Sequence, residues 1–252
     1  MLHHFFYQIR YNLRGWTPFN YVPYLWMMAA DATNTGDGTA VTAWISHEGN
    51  NYLFTTADSP LYHENGNNSK PTVEFENSEY VEYVRSFFDN DGFTIALLIN
   101  FDTNGTHTIM YQEYISEIQK QFAVRTVEGY LNIIQDNGGV EVSLIGSTFL
   151  SGWHVILINS DGVKINRRGI CSRPIDSLEL LQESITVRVD TLPETMLADG
   201  ATGLFSPYNS LIFQIGGSTE GEVQQLLVYP QRVPTGVLQD HLESYLMTYG
   251  GI

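Results

Sequence analysis

The sequence predicts an all-β protein, an antiparallel two-sheet sandwich that ends in a short α-helix. From about residue 39 onward, apolar and polar residues alternate with the period of half-buried strands. Turn signals rich in Gly, Asn and Asp recur between these runs, which favours a sandwich over βαβ units. One amphipathic helix pattern stands at the end of the chain. The length of 252 residues suits a single all-β domain.

Residues 1–22 differ from the rest and are predicted to form an N-terminal arm or a first edge strand, with the main domain over 23–252. The aromatic residues that make this segment a candidate docking arm are Phe5, Phe6, Tyr7, Tyr11 and Trp16. Two interpretations stay open. The arm packs on its own domain, or it docks on a neighbouring subunit, because clusters of exposed apolar residues commonly mark interaction sites.

The next part of the chain predicts strands of two kinds. In TVEFENSEYVEYV (72–84), Val73 and Phe75 alternate with glutamates, as in a strand with one buried face. FTIALLINF (93–101) is a continuous apolar run of strand length, suited to a buried central strand. YQEYISEIQKQ (111–121) fits a helix by its apolar spacing, yet it continues a β-like run, so both structures stay open.

Two turn signals predict hairpins farther along. Asn137-Gly138-Gly139 separates 122–136 from 140–146, and Ser160-Asp161-Gly162 separates WHVILIN from VKIN (163–166). Further strands are predicted at ITVRVD, SLIFQIGG and EVQQLLVY.

The C-terminal segment VPTGVLQDHLESYLMTYGGI predicts an amphipathic helix. Its apolar stripe consists of Val237, Leu238, Leu242, Tyr245 and Leu246. Pro234 suits the first turn, and Gly250-Gly251 suits the end.

Composition excludes several functions. The formal net charge is −16, so phosphate backbones and anionic membranes are disfavoured as partners. The acidity either keeps an aromatic-rich protein soluble or marks a face for a basic partner or cations. Cys171 is the single cysteine, so no intrachain disulfide forms, in keeping with synthesis in a reducing cytosol. We expect no secretory signal and no cofactor, since neither a signal-like apolar stretch nor a nucleotide-binding glycine pattern occurs.

Several stretches resemble one known family. These are Leu25-Trp26, Ala30-Asp31-Ala32, Val41-Thr42-Ala43-Trp44, Gly49-Asn50, Lys70-Pro71-Thr72 with Val73-Glu74-Phe75-Glu76, Phe93-Thr94-Ile95, Trp153 with Asn159-Ser160-Asp161-Gly162, 222–229, and Leu238 with 245–250. Together they are similar to the concanavalin A-like lectin/glucanase superfamily, in its laminin-G-like branch. The chain departs from the pattern at Ile45-Ser46-His47, where an acidic residue is usual, and at Val233-Pro234-Thr235-Gly236, where a polar helix cap is usual.

The resemblance covers roughly residues 22–252 and implies a jelly-roll sandwich with its C-terminal helix packed against it. Members of this branch occur as modules of phage and prophage particles. Others bind sugars, and some are glycosidases. The fold alone does not choose among these functions.

Glu74, Glu76 and Glu79 resemble the paired carboxylates of the glucanases. A retaining glycosidase places its two carboxylates about 5–5.5 Å apart. Here the glucanase Asp is replaced by Glu76, and Asn77-Ser78 predicts a turn that ends the strand. Glu74 and Glu79 are the candidates if the chain is a glycosidase. The favoured interpretation makes them solvent-facing acids at the end of a strand, in a protein that is not an enzyme.

Two acidic turns are weak candidates for calcium, through Asp89 and Asp91 and through Asp102 and Asn104. Neither completes a twelve-residue calcium loop, and ordinary hairpin turns use the same residues. The favoured expectation is therefore that no metal is bound.

The leading functional hypothesis is a virion structural protein, in the capsid surface, tail or a fibre, made in the host cytoplasm. Its expected partners are other virion proteins, docked through the arm, and further copies of the chain. The alternative is a carbohydrate-binding module for host-surface glycans, and the third hypothesis is a glycoside hydrolase.

Overall fold

The computed structural model describes residues 23–47, 53–57, 60–76, 79–83, 93–114, 120–137, 141–160, 185–200, 212–217, 220–229 and 236–252. The predicted arm over 1–22 lies outside these residues. So do Asp89 and Asp91.

The described residues form two β-sheets, whose strands are numbered here in chain order. The nine-stranded sheet contains β1 (Leu25–Met28), β3 (Thr39–Ala40), β6 (Leu61–Asn67), β7 (Lys70–Phe75), β9 (Phe93–Phe101), β14 (Gly152–Ser160), β15 (Ile185–Val189), β16 (Leu192–Glu194) and β19 (Gly221–Tyr229). The ten-stranded sheet contains β2 (Ala32–Thr33), β4 (Ala43–Ile45), β5 (Leu53–Ala57), β8 (Tyr80–Tyr83), β10 (Thr106–Tyr114), β11 (Lys120–Val127), β12 (Tyr130–Asn137), β13 (Glu141–Phe149), β17 (Met196–Gly200) and β18 (Ile212–Gly216).

The strand order identifies an antiparallel sandwich. In the nine-stranded sheet the order is β16-β15-β14-β9-β19-β7-β6-β3, and β1 pairs with β19. In the ten-stranded sheet the order is β17-β13-β12-β11-β10-β18-β8-β5-β4-β2. The central pairs β9–β14 and β9–β19 are antiparallel, as is the β10–β11 hairpin. The predicted fold class, with its C-terminal helix described below, is confirmed.

Strand β9 is buried on both faces. Ile95, Leu97 and Ile99 belong to the core between the sheets. Ala96 and Leu98 belong to a second core on the outer face of the nine-stranded sheet. The prediction of a buried central strand over 93–101 is confirmed, because two cores require apolar residues at successive positions.

The helix α1 (Val237–Gly250) supplies the cover for that second core. Leu242 and Leu246 are 0% exposed and pack in the same cluster as Leu98 of β9. At about 1.5 Å per residue, a helix of 14 residues is about 21 Å long, enough to cross four strand spacings. Val237 is 67% exposed, so its predicted place in the buried stripe is wrong. It is the first helical residue, and the buried residues of α1 begin only at Gln239.

Several local predictions can be compared with the strands. Residues 111–114 and 120–121 lie in β10 and β11, so the helical alternative for that stretch is wrong there.

The predicted hairpin after Asn137 is confirmed by the pairing of β12 with β13. The run 122–136 is two strands rather than one, because Glu128 and Gly129 both take positive φ, as a type I′ turn requires. The sheet neighbours of β14 are β9 and β15, and VKIN lies outside the described residues.

Neither helix of the described residues, α1 or the short 3-10 helix Ala29–Asp31, has the length and apolar character that a membrane span requires.

Candidate functional site

A cluster of aromatic and charged side chains lies along one edge of helix α1, on the outer face of the nine-stranded sheet. We call it the helix-edge cluster. Its members are Trp26, Asp31, His47, Lys70, Tyr245 and Tyr249. Four separate parts of the chain supply these six residues, namely β1, the segment from Asp31 to His47, β7 and α1.

The base of the cluster is Trp26. Strand β1 alternates, so Leu25 and Met27 enter the core between the sheets and Trp26 faces the helix side. Its ring is only 3% exposed. The indole Nε1 donates a hydrogen bond to Gln225 Oε1 at 3.1 Å. Trp26 is thus a fixed support for the rings around it, because its N–H is satisfied and its ring is packed.

His47 and Asp31 form a polar pair beside this tryptophan. The backbone N–H of His47 donates to the Trp26 carbonyl at 2.7 Å, and the two rings meet edge-on with centroids 4.6 Å apart. His47 Nδ1 lies 2.7 Å from Asp31 Oδ2. Their side chains are 35% and 30% exposed, so both can reach solvent. Asp31 Oδ1 remains able to accept further hydrogen bonds, because each carboxylate oxygen has two lone pairs.

Tyr245 and Tyr249 bring the helix into the cluster. They are one turn apart on α1, so their rings lie on one face, with centroids 6.2 Å apart. Tyr245 also meets Trp26 edge-on at 6.2 Å. Both tyrosines are half-buried. Burial raises the pKa of Tyr249 to about 12, with smaller contributions from Tyr245, Asp31 and Tyr62. Burial also raises the pKa of Tyr245, against a hydrogen bond from Gln225.

Lys70 closes the other end of the cluster. Its Nζ lies 4.3 Å from the centroid of the Tyr249 ring, a cation–π distance. Lys70 follows the β6–β7 turn, in which Asn68 and Ser69 have φ of 50° and 54°. Both central residues of a type I′ turn need positive φ, and Asn tolerates it well.

The same turn holds the end of helix α1. Asn67 Nδ2 donates to the Gly250 carbonyl at 2.9 Å, and Asn68 Nδ2 donates to the Tyr249 carbonyl at 3.0 Å. Asn67 also exchanges hydrogen bonds with Gln224, which is 0% exposed. These amides satisfy helix carbonyls that have no partner inside the helix, and so they fix the position of Tyr249.

The buried glutamines of β19 come from an irregularity in the strand. The pairing of β19 with β9 shifts register between Val223 and Gln225. Both Gln224 and Gln225 are fully buried, with Gln224 bonded to Asn67 and Gln225 to Trp26. The bonded amides of Gln224 and Gln225 give the layer beneath the cluster a defined polar geometry, because buried polar groups with satisfied hydrogen bonds hold side chains in one arrangement.

The three glutamates of the sequence pattern have local partners. Glu74 Oε2 lies 2.6 Å from His63 Nε2 on the neighbouring strand. Glu79 Oε2 accepts the backbone N–H of Glu76 at 2.7 Å, and the Glu79 N–H donates to the Glu76 carbonyl at 3.1 Å. Glu79 therefore closes the turn that follows β7.

Asp102 and Asn104 are the two candidate metal ligands that the structure describes, and they form a turn. Asp102 Oδ1 accepts the Asn104 backbone N–H at 3.0 Å and the Asn104 side-chain amide at 2.9 Å. The backbone hydrogen bond is the main reason that the pKa of Asp102 is lowered. Among the described residues, no group of three or more His, Cys, Asp or Glu is placed to hold a metal ion.

In the sequence, the members of the helix-edge cluster belong to patterns that do not point to a shared site. The family pattern includes Asp31, Lys70, Tyr245 and Tyr249, and the apolar stripe of the helix includes Tyr245. His47 is a departure from the family pattern. The useful local signal was the pair of tyrosines at i and i+4 on an amphipathic helix.

Neither a protein-family model nor a curated protein sequence matches the chain. Solved structures do. The binding domain of botulinum neurotoxin serotype D/C VPI 5993 aligns with a TM-score of 0.58 at 9% identity, covering 89% of this chain and 52% of that one. Botulinum neurotoxin type C, whose cell entry depends on interaction with two ganglioside molecules, aligns with a TM-score of 0.54 at 9% identity, covering 87% and 52%.

A Trypanosoma rangeli sialidase in complex with sialic acid aligns with a TM-score of 0.51 at 12% identity, covering 86% of this chain and 32% of that one. The chain thus spans about half the length of the toxin domains and about a third of the sialidase. These likenesses show a shared β-sandwich fold, in keeping with the concanavalin A-like resemblance. At such low identity they show the fold alone.

Proposed function

We propose that the chain is a non-enzymatic carbohydrate-binding domain and that its glycan lies on the helix-edge cluster. The observation that carries this proposal is the arrangement of two half-buried tyrosines beside an accessible carboxylate–histidine pair. Sugar binding needs an aromatic surface for the C–H face of a pyranose and a few polar groups for its hydroxyls.

The cluster offers both requirements in a preformed state. Tyr245 and Tyr249 supply the aromatic surface, held by Trp26 below and by the asparagine turn at the helix end. Asp31 accepts hydroxyl hydrogens, and Lys70 donates. A site whose side chains are already fixed by packing loses little conformational entropy when a ligand binds.

The comparisons support this proposal at the level of the fold. Relatives in fold include a toxin domain in complex with SialylT and the toxin whose entry depends on gangliosides. The virion hypothesis has no such support. It rests on the sequence resemblance, and the arm that would carry it lies outside the described residues, so it stays a prediction together with the expected cellular location and oligomeric state.

The non-enzymatic part of the proposal is supported by the local partners of the two glutamates. Glu74 faces His63, whereas Glu79 closes its own turn. A two-carboxylate mechanism needs the two groups to face one substrate bond.

The test is a glycan array with the full chain, followed by calorimetric titration of the best ligand. We expect Tyr249→Ala to weaken binding at least about tenfold, the size of one lost stacking or hydrogen-bonding contact of about 1.4 kcal/mol. Thr248→Ala, an exposed neighbour on the same helix, is the matched control. Circular dichroism checks that both variants fold. If the array shows no binding, or if Tyr249→Ala binds as the wild type does, the proposal fails.

A further inference from the structure

The charges around the helix-edge cluster restrict the kind of sugar that it can hold. Resting on the proposed function, we propose that the ligand is a neutral glycan, and that the site discriminates against glycans whose terminal sugar carries a carboxylate or sulfate. Three features of the site favour a neutral ligand: its few basic groups, its acidic groups and the negative charge near Tyr249.

The chain has few cationic side chains that could bind an acidic sugar. Sequence-wide there are 12 lysines and arginines against 28 acidic residues. Of the basic side chains in the described part of the chain, Arg188 pairs with Glu243 and Asp240 of α1. Lys120 and Arg125 belong to β11 in the other sheet. Lys70 is thus the one described lysine or arginine at the cluster.

Lys70 is poorly suited to be the partner of an acidic sugar. Its ammonium already lies over the Tyr249 ring at 4.3 Å. Recognition of a carboxylate typically uses the planar two-point hydrogen bonding of arginine, which a single ammonium does not reproduce. An acidic sugar stacked on Tyr249 would therefore find one cation and no arginine among the described side chains of the cluster.

Acidic side chains lie in the cluster and at the neighbouring edge of the sheet. Asp31 belongs to the cluster and is 30% exposed at its side chain. At the β6–β3 edge of the nine-stranded sheet, Asp37 Oδ1 accepts the Glu64 backbone N–H at 2.8 Å, and both residues are exposed. Burial raises the pKa of Tyr62, and the negative charges of Glu64 and Asp37 raise it further. Negative charge thus lines this border of the nine-stranded sheet.

Negative charge also acts on the Tyr249 ring, the surface on which the sugar would stack. Burial is the main cause that raises the pKa of Tyr249, but Asp31 acts in the same direction. A ligand carboxylate on this ring would meet the same negative neighbour and the same loss of hydration. Both effects oppose an anion. Neutral hydroxyls face no such penalty and can donate to Asp31.

The test compares matched pairs of oligosaccharides that differ only in a terminal sialic acid. The neutral members are the best binders from the array, and binding is measured by calorimetry at low salt and at about 0.15 M salt, where charges are screened beyond about 8 Å. We expect the neutral member to bind at least about tenfold more tightly at low salt, the difference made by roughly 1.4 kcal/mol of repulsion.

Two variants locate the cause. Asp31→Asn should narrow the ratio between the neutral and acidic members several-fold, because it removes the negative charge at the site. Glu128→Gln, which removes one charge from the hairpin of the other sheet, should leave the ratio unchanged.

The outcomes separate the two proposals. If the sialylated member binds as tightly as the neutral one or more tightly, the inference is overturned while the carbohydrate function stands. If the ratio does not respond to Asp31→Asn, the electrostatic explanation is overturned. If no member of any pair binds, the carbohydrate function itself fails, and this inference fails with it.

Discussion

Arg188 and Glu243 join strand β15 to helix α1 through an ion pair buried under the helix. The guanidinium Nε lies 2.9 Å from Glu243 Oε1, and the Glu243 side chain is only 1% exposed. The other carboxylate oxygen of Glu243, Oε2, is buried without a hydrogen-bond partner. Asp240, one helical turn earlier, lies 3.5 Å from the same arginine but is 60% exposed. The buried carboxylate is therefore held by one partner on one side only.

This geometry predicts how stability depends on pH. Burial raises the pKa of Glu243 above its ordinary value of 4.5, against the opposing effect of Arg188. A raised pKa means that the folded protein binds the proton more tightly than the unfolded chain does. The contribution of Glu243 to stability is thus most favourable below pH 4.5 and is lost as pH rises through the folded pKa.

Glu243→Gln should remove this dependence. Relative to the variant, we expect the wild type to lose free energy of unfolding as pH rises above about 4.5 and through the raised pKa of folded Glu243. Urea denaturation over that range measures it. Asp240→Asn is the matched control, since it removes an exposed charge near the same arginine, and we expect its stability difference to vary much less with pH. A constant difference between Glu243→Gln and wild type would contradict the prediction.

Gly251 ends helix α1 at a position that only glycine fills without strain. Its φ is 70°, and its N–H donates to the Met247 carbonyl at 2.8 Å. An added Cβ would lie 2.7 Å from Cγ of Asn68, the residue whose amide holds the Tyr249 carbonyl. Gly251→Ala should cost about 2 kcal/mol, from left-handed strain of about 1 kcal/mol and a similar loss at Asn68.

Gly38 provides the control for that substitution. It has φ of 68° but no atom within 4 Å of an added Cβ, so Gly38→Ala should show the strain alone. The difference between the two variants in free energy of unfolding, measured by thermal or urea denaturation, is the cost of the contact with Asn68. Equal costs would show that the contact contributes nothing.

Glu194 ties the two sheets together at their common edge. It ends β16 in the nine-stranded sheet, and its Oε1 accepts the Thr148 N–H at 2.7 Å and the Ser147 hydroxyl at 3.1 Å, both from β13 in the other sheet. The Ser147 N–H and the Thr148 hydroxyl also donate to this carboxylate. Hydrogen bonds to a charged group contribute about 1.5–3 kcal/mol each when well shielded.

Because these hydrogen bonds are partly exposed to solvent, we expect Glu194→Ala to lower the free energy of unfolding by about 2 kcal/mol in total. Glu220→Ala, at an exposed acid whose backbone bonds to His107, is the control and should change stability by less than about 0.5 kcal/mol. Chemical denaturation of both variants measures the difference. A Glu194 effect no larger than that of Glu220 would mean that the tie is not stabilising.

Glu74 gives a direct test of the glycosidase hypothesis. Its carboxylate is engaged by His63 at 2.6 Å, with about a third of each side chain exposed. We expect no release of reducing sugar from bound glycans by the wild type, and unchanged glycan affinity in Glu74→Gln. Loss of the His63 pair should cost less than about 1 kcal/mol. Turnover by the wild type that disappears in Glu74→Gln would overturn the non-enzymatic assignment.

Local sequence patterns predicted much of the fold. Strand β9 followed from its apolar run and the β12–β13 hairpin from Asn137. The turn at Glu128-Gly129 was missed because Glu seldom takes positive φ, and its conformation depends on the strands that it joins. The alternative helix over 111–121 was open because apolar spacing over one short stretch does not separate a helix from a buried strand.

The sequence by itself determined the sandwich, its buried centre and its terminal helix, because alternation, turn chemistry and helix periodicity act between residues close in the chain. Only the tertiary structure decided the helix-edge cluster. Trp26 and Gln225 are hydrogen-bonded across 199 residues, and Tyr245 reaches Trp26 only because α1 packs on the outer face of the nine-stranded sheet. Sequence separation of that size leaves no local pattern. The site exists because the antiparallel pairing of β1 with β19 places the first strand beneath the last helix.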